Sequence, residues 1–486
     1  MRTIMTAALS AVVLTALFQA PASAAPQRRA LDWKACGDGL ECAKLTVPID
    51  WKRPDGPKTQ VDTAKLPARD QARKLGSLVV NTGGGATIQP VRATPAVVSE
   101  LTTWFDVILF DPRGYGDKGS EAMKECRTPQ PSVAGLVLSP GEAGWRAQSK
   151  ANAAYEASCR KAMGAEYAGT NSWQVAHDVE ALRGALGEPE LRYLGNSYGT
   201  VHGQMYLSLF PAKVGRMVLD GIPDHTRTSL EKWMTAYART QEQQLKRFRD
   251  WCADGCALGG DDAIEVFDDL LARVREAPLP AGDQSLNEQE FLVAVTERLS
   301  QPPTWSRLAA ALRKAADGDA TELAGMRPLP PEDPGYLNGA TLCHDFMPGT
   351  PSYRDFLSIE SRLREAAPRI GWVQGRYLMG RCVGMSGKPA NPPAPLRVKD
   401  VAPVLISIGD LDSTTPRLGA EHLAAQVPGA RVVRHGDGHA AYLMQGAGGL
   451  NGTCLREHVH EYLTTGALPP SGARCPGDLM ARVPRG

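Results

Sequence analysis

Residues 191–207 read L-R-Y-L-G-N-S-Y-G-T-V-H-G-Q-M-Y-L, and this stretch decides the fold. Residues 191–194 have the short apolar pattern of a buried strand, and residues 201–207 can continue as a helix. Between them, Gly195-Asn196-Ser197-Tyr198-Gly199 is a G-x-S-x-G on a strand-to-helix turn, the setting of a nucleophile elbow. So tight a turn leaves little room beside the serine, and glycine tolerates both the strained backbone and the close approach. The helix that starts at the serine aims free N–H groups and a positive dipole end at the reacting centre.

Upstream, residues 75–81 form a buried strand that runs into Thr82-Gly83-Gly84-Gly85-Ala86. An elbow needs a second backbone N–H opposite the one after the serine, and a glycine cluster lets the backbone come close enough to supply it. Residues 105–111 are another buried strand, ending in Pro112-Arg113-Gly114-Tyr115-Gly116. A helix over 173–186, capped by Asn171 or Ser172, leads into the elbow strand, and residues 214–221 are the next strand. Strands alternating with helices predict an α/β fold with a mostly parallel sheet covered on both faces. Residues 31–74, with Pro48, Pro54 and Pro57, read as an antiparallel hairpin leading into it.

From residue 229 to about 367 the strand signal fades. Helical runs over 230–249, 262–276, 288–299, 305–316 and 353–366 are separated by proline clusters. This predicts a helical cap inserted over 226–396 between two parts of the core, 25–225 and 397–486. After it, residues 401–408 return to buried strand, followed by Gly409-Asp410-Leu411-Asp412-Ser413-Thr414-Thr415-Pro416. A helix over 417–426 and a strand over 430–434 lead to His435-Gly436-Asp437-Gly438-His439, and 454–463 is a final helix. A serine nucleophile needs a base and the base an orienting carboxylate. Asp412 and His439 take those places, each just past a strand, in the order Ser, Asp, His. Asp410 competes as the acid. His435 competes as the base, but it ends a strand and points into the sheet.

The first residues read as an export signal over 1–24: Met1-Arg2, an apolar run from Ala7 to Phe18, and Ala22-Ser23-Ala24. The run is shorter than a bilayer requires, and no later stretch spans one. The mature chain is therefore expected to be secreted and extracellular, with no membrane span. A formal charge of +1 gives no electrostatic case for nucleic acid. Ten cysteines suit an oxidising destination. Their positions do not dictate connectivity, but sequence neighbours suggest Cys36–Cys42, Cys126–Cys159, Cys252–Cys256, Cys343–Cys382 and Cys454–Cys475. Zinc at Cys252 and Cys256 is disfavoured, because no second cysteine or histidine pair lies near. No metal or cofactor is expected.

Taken together, N-T-G-G-G-A at Asn81, D-P-R-G-Y-G at Asp111, Y-L-G-N-S-Y-G-T at Tyr193, R-M-V-L-D-G at Arg216, D-S-T-T-P at Asp412 and G-D-G-H at Gly436 carry a resemblance. The chain resembles the exported tripeptidyl aminopeptidase-like serine peptidases, relatives of proline iminopeptidase in the α/β-hydrolase superfamily. The resemblance covers nearly the whole mature chain. It implies Ser197 as nucleophile, His439 as general base, Asp412 as orienting acid, and an oxyanion hole from the N–H groups of Tyr198 and Gly84. The family's loop resembles N-P-G-G-P-G; here Thr82, Gly85 and Ala86 replace proline, proline and glycine, removing a φ restraint at each lost proline. The expected substrate is a peptide, shortened from its N-terminus. The expected partner for its free amine is a cap carboxylate, with Asp345 as the candidate. An esterase or amidase using the same three residues, and a binding protein on an inactive hydrolase fold, are the rival readings.

Overall fold

A computed structural model of the protein describes residues 31–115, 130–138, 141–326, 339–347, 351–385 and 389–485. The expected signal segment and Cys126 lie outside these residues. Three strands open the chain: β1 (Lys34–Ala35), β2 (Glu41–Pro48) and β3 (Lys58–Leu66), paired antiparallel in succession. Then come β4 (Ser77–Asn81), β5 (Asp106–Phe110), β6 (Leu191–Asn196) and β7 (Val214–Asp220). A short antiparallel hairpin, β8 (Leu279–Ala281) and β9 (Gln284–Leu286), stands apart from the main sheet. β10 (Val404–Gly409), β11 (Arg431–His435) and β12 (Arg474–Cys475) complete the set. Among the described residues, the main sheet has ten strands in the order β1-β2-β3-β5-β4-β6-β7-β10-β11-β12. It is antiparallel as far as the β3–β5 pair and parallel from β5 to β12.

The central strands are mostly apolar, with polar residues such as Asp106, Asn196 and Asp220 at their ends, because helices cover both faces. Every residue of β5 and β10 is buried. Side chains alternate between two cores. Val79, Ile108, Tyr193, Met217 and Ile406 pack on one face. Leu78, Val80, Leu109, Leu194, Val218 and Leu405 pack on the other. Burying such residues contributes about 25 cal/mol per Å² of apolar surface, and a one-residue slip would turn each set toward the wrong layer.

Between β7 and β10 the chain is mostly helical. The main helices are Leu230–Ala253, Ala263–Glu276, Glu288–Leu299, Trp305–Ala316, Gly339–Phe346, Tyr353–Ala366 and Val373–Gly380. Several begin where polar caps stand. Ser229 accepts the Lys232 N–H, Asp262 those of Ile264 and Glu265, and Asn287 and Ser352 form reciprocal capping boxes with Glu290 and Asp355. Their apolar faces share a core that includes Trp233, Phe248, Phe267, Phe291, Trp305 and Trp372. That core also takes in Tyr198 and Val201, on the helix after the elbow serine. The inserted helices therefore rest directly on the elbow helix.

Among the described residues, four disulfides join Cys36 to Cys42, Cys252 to Cys256, Cys343 to Cys382 and Cys454 to Cys475, the pairs that sequence proximity selects. Cys159 is disulfide-bonded as well. Among the described residues no helix is long and apolar enough to cross a membrane.

Candidate active site

Ser197 follows the last residue of β6 and caps the helix Tyr198–Leu209. Its backbone lies at φ 50°, ψ −124°, a conformation that L-residues rarely adopt and that costs on the order of 1–3 kcal/mol. Its N–H donates to Asp220 O at 2.9 Å, tying the turn to the end of β7. The flanking glycines are required by contact. A Cβ on Gly199 would stand 2.5 Å from Asn81 Oδ1, and one on Gly195 would stand 2.7 Å from Gly199 O. The glycine loop after β4 presses on the same turn: a Cβ on Gly83 would lie 2.7 Å from Ser197 Cβ and 3.0 Å from Tyr198 N.

That loop is anchored at both ends. Asn81 Oδ1 accepts the Gly83 N–H at 3.0 Å. Asp111, at the end of β5, accepts the N–H groups of Thr87 and, at 2.9 Å, Ile88. Among the described residues, no backbone acceptor takes the N–H of Gly84 or of Tyr198. The motif residue Arg113 plays a structural part instead. It is buried, pairs with Asp178, and donates to the carbonyls of Pro48 and Ile49.

His439 sits past β11, against Gly221. A Cβ on Gly221 would be 2.9 Å from its Cε1 and 3.0 Å from its Nδ1. Since Gly221 directly follows Asp220, the imidazole and the Ser197 turn both pack on the carboxyl end of β7. His439 Nδ1 lies 2.9 Å from Asp412 Oδ2. Asp412 also accepts the Thr415 N–H at 2.8 Å and the Thr415 hydroxyl. An ionised carboxylate only accepts, so the imidazole proton sits on Nδ1 and Nε2 keeps its lone pair. Burial opposes the imidazolium, but the Asp412 charge and hydrogen bond, with Asp220 farther off, outweigh it and hold the His439 pKa above the ordinary 6.5. Burial likewise opposes the Asp412 carboxylate, and His439 and Thr415 reverse that and bring its pKa below 3.8.

Among the described residues, neither competing residue joins the Asp412–His439 pair. Asp410 is half-buried and bridges to Arg434 at 3.0 Å and to Arg474 at 3.5 Å. His435 ends β11, is 1% exposed, and among the described residues neither ring nitrogen has a hydrogen-bond partner.

Asp345 is a correction. It is 0% exposed, and its carboxylate is filled by the protein's own donors. These are the Ser172 N–H at 3.0 and 3.2 Å, the Ser172 hydroxyl at 2.8 Å, the Tyr198 hydroxyl at 2.6 Å and the Asn391 amide at 2.8 Å. No lone pair is left facing a surface that a substrate amine could reach, so Asp345 is not the amine-binding acid. Sequence reasoning passed over Asn81, Gly83, Gly221 and Thr415. All four lie inside motifs already singled out, but the contact of Gly221 with His439 is a tertiary one that the motif itself does not signal.

Two family models match the chain. One, described as alpha/beta hydrolase fold, covers residues 76–255, and the other, described as TAP-like protein, covers residues 368–475. The chain is 30% identical over 475 residues to serine protease Hip1 of Mycobacterium tuberculosis (strain ATCC 25618 / H37Rv), an alignment spanning 90% of this chain and 87% of the relative. It is 28% identical over 486 residues to the tripeptidyl aminopeptidase of Streptomyces lividans, spanning 93% and 88%. It is 27% identical over 488 residues to carboxylesterase B of Mycobacterium tuberculosis (strain CDC 1551 / Oshkosh), spanning 93% and 90%.

Proposed function

The chain belongs to the TAP-like serine hydrolases of the α/β-hydrolase fold, and from that premise we propose that it is a secreted aminopeptidase releasing short N-terminal pieces from peptides. Ser197 Oγ attacks the scissile carbonyl while His439 Nε2 takes its proton. The N–H groups of Gly84 and Tyr198 hold the oxyanion, a contribution of about 3–4 kcal/mol per donor in comparable sites. Collapse of the tetrahedral intermediate forms the acyl-enzyme, and the leaving amine receives the proton from His439. Water, deprotonated by the same imidazole, then releases the N-terminal piece. The single observation behind this reading is the strained turn at Ser197, packed on the same strand end as the Asp412–His439 pair. The disulfides support export to an oxidising compartment, with residues 1–24 as the signal.

The exopeptidase assignment rests on the family, and a substrate comparison tests it. A free α-amine is cationic near neutral pH, so an aminopeptidase site recognises that charge and an N-acetylated peptide loses it. The expected result is that kcat/KM for a tripeptidyl anilide falls by about a hundredfold or more on N-acetylation, matching the loss of a charge-assisted hydrogen bond left unpaired. Equal rates on both forms, or a preference for simple esters, would replace the aminopeptidase with an esterase.

The pH dependence follows from the same geometry. Only neutral His439 accepts the serine proton, and its pKa is raised by Asp412. In the parent, kcat/KM should therefore rise with pH through an acidic limb centred above 6.5. Removing the carboxylate charge in Asp412→Asn should move that limb to lower pH, and a limb that stays in place would assign it to another group.

A further inference from the structure

Asp345 is delivered from the inserted helix Gly339–Phe346, yet its shortest contact is to the residue after the elbow serine. Around it lies a closed polar network. The Tyr198 hydroxyl reaches Asp345 Oδ2 at 2.6 Å and Thr341 O at 3.3 Å. Ser172, first residue of the helix Ser172–Ala185, gives both its N–H and its hydroxyl proton to Asp345. With that proton committed, the 3.1 Å contact between Ser172 Oγ and His202 Nδ1 requires Nδ1 to be the donor. His202 is on the elbow helix, and burial brings its pKa down to about 4, so it stays neutral near pH 7. His225 Nε2 faces two carbonyls, Asp345 O at 2.9 Å and Asn391 O at 3.0 Å, and must carry a proton as well. The Cys343–Cys382 disulfide fastens the Asp345 helix to the end of the helix Val373–Gly380.

We propose that Asp345 is a positioning residue for the oxyanion hole: by holding the Tyr198 phenol it orients the Tyr198 backbone N–H, and so couples the seating of the inserted helices to transition-state stabilisation. The proposal rests on the function proposed above and adds to it. Tyr198 is the first residue of its helix, where the N–H has no intrahelical partner and its direction depends on how the turn is held. Two restraints act there: Gly83 on one side, so close that a Cβ on it would lie 3.0 Å from Tyr198 N, and the phenol anchored through Asp345 on the other. A fully buried carboxylate that accepts from Ser172, Tyr198 and Asn391 makes that anchor strong, since hydrogen bonds to a carboxylate are shorter and about twice as strong as neutral ones. The same carboxylate takes donors from the helices after β5 and β6 and from Asn391, beyond the inserted helices, so it ties these separate segments together at the elbow helix.

The test compares Tyr198→Phe, Asp345→Asn and the double variant, at equal concentrations of active sites titrated with a fluorophosphonate. Tyr198→Phe deletes one oxygen and keeps the backbone N–H. Both single variants should lose about tenfold or more in kcat on a tripeptidyl anilide, with KM within about twofold, the size expected for one charge-assisted contact. The fluorophosphonate labelling rate should fall in parallel, because the phosphonyl oxygen uses the same hole. Because Asp345 acts through Tyr198, the double variant should lose no more than the worse single one. A Tyr198→Phe protein with parental kcat and labelling rate per titrated site would overturn the proposal, as would losses that multiply in the double variant. If Asp345→Asn does not fold, Tyr198→Phe alone decides. A parent that never labels at Ser197 would instead remove the serine-hydrolase mechanism itself, an outcome distinct from either.

Discussion

Ser197→Ala should abolish fluorophosphonate labelling and lower turnover by on the order of a millionfold, as when the nucleophile of a comparable triad is deleted. The fold should survive. The Ser197 side chain makes no capping hydrogen bond to its helix, so the lost oxygen leaves no helical N–H newly unpaired. Alanine retains the Cβ, and with it the same cost of the positive φ, so melting temperature should stay close to the parent's. A residual rate above water is expected from the oxyanion donors and substrate binding alone. Turnover near the parent's on any substrate, from protein with a parental melting temperature, would put the nucleophile elsewhere.

Asp412→Asn should lower kcat by about ten-thousandfold, the loss seen when a triad acid becomes its amide. The geometry gives the reason. Asp412 accepts from both Thr415 groups and from His439 Nδ1. An asparagine offers one acceptor oxygen, which the Thr415 donors claim, and then turns its NH2 toward His439. The imidazole responds by moving its proton to Nε2, the atom that must receive the serine proton. Asp410→Asn, which disturbs the contacts to Arg434 and Arg474, should cost less than tenfold on the scale of surface ion pairs. Equal losses in the two variants would leave the acid unassigned.

The local pattern of the chain was sufficient for the elements that carry chemistry. Short apolar runs and helical runs with polar caps are local signals. The elbow strand, the capped helices after Ser229, Asp262, Asn287 and Ser352, and the strands on either side of the acid all emerge where residue type alone places them. Some elements carry no such signal. Pro278-Leu279-Pro280 reads as a break, yet Leu279–Ala281 pairs with Gln284–Leu286, because proline is tolerated in a two-stranded hairpin whose strands are both edges. Val373–Gly380 holds two glycines that weaken its helical signature. A Cβ on Gly375 would meet Leu363 Cδ1 at 2.5 Å, so tertiary packing demands what propensity disfavours.

The sequence alone determined which residues could react: a serine on a glycine-flanked strand-to-helix turn, and an acid and a histidine each just past a later strand. Those assignments depend on backbone geometry within a few residues, which local sequence controls. Tertiary structure decided which of two neighbouring acids meets the imidazole and where Asp345 belongs. Asp410 and Asp412 are two residues apart and equally acidic in sequence, but only Asp412 is buried against His439, while Asp410 turns to Arg434. Asp345 reads as a free cap acid until Ser172, Tyr198 and Asn391, each at least 46 residues away, fill its lone pairs. A carboxylate's role follows from the donors that surround it, and here those donors arrive from separate parts of the chain only once it has folded.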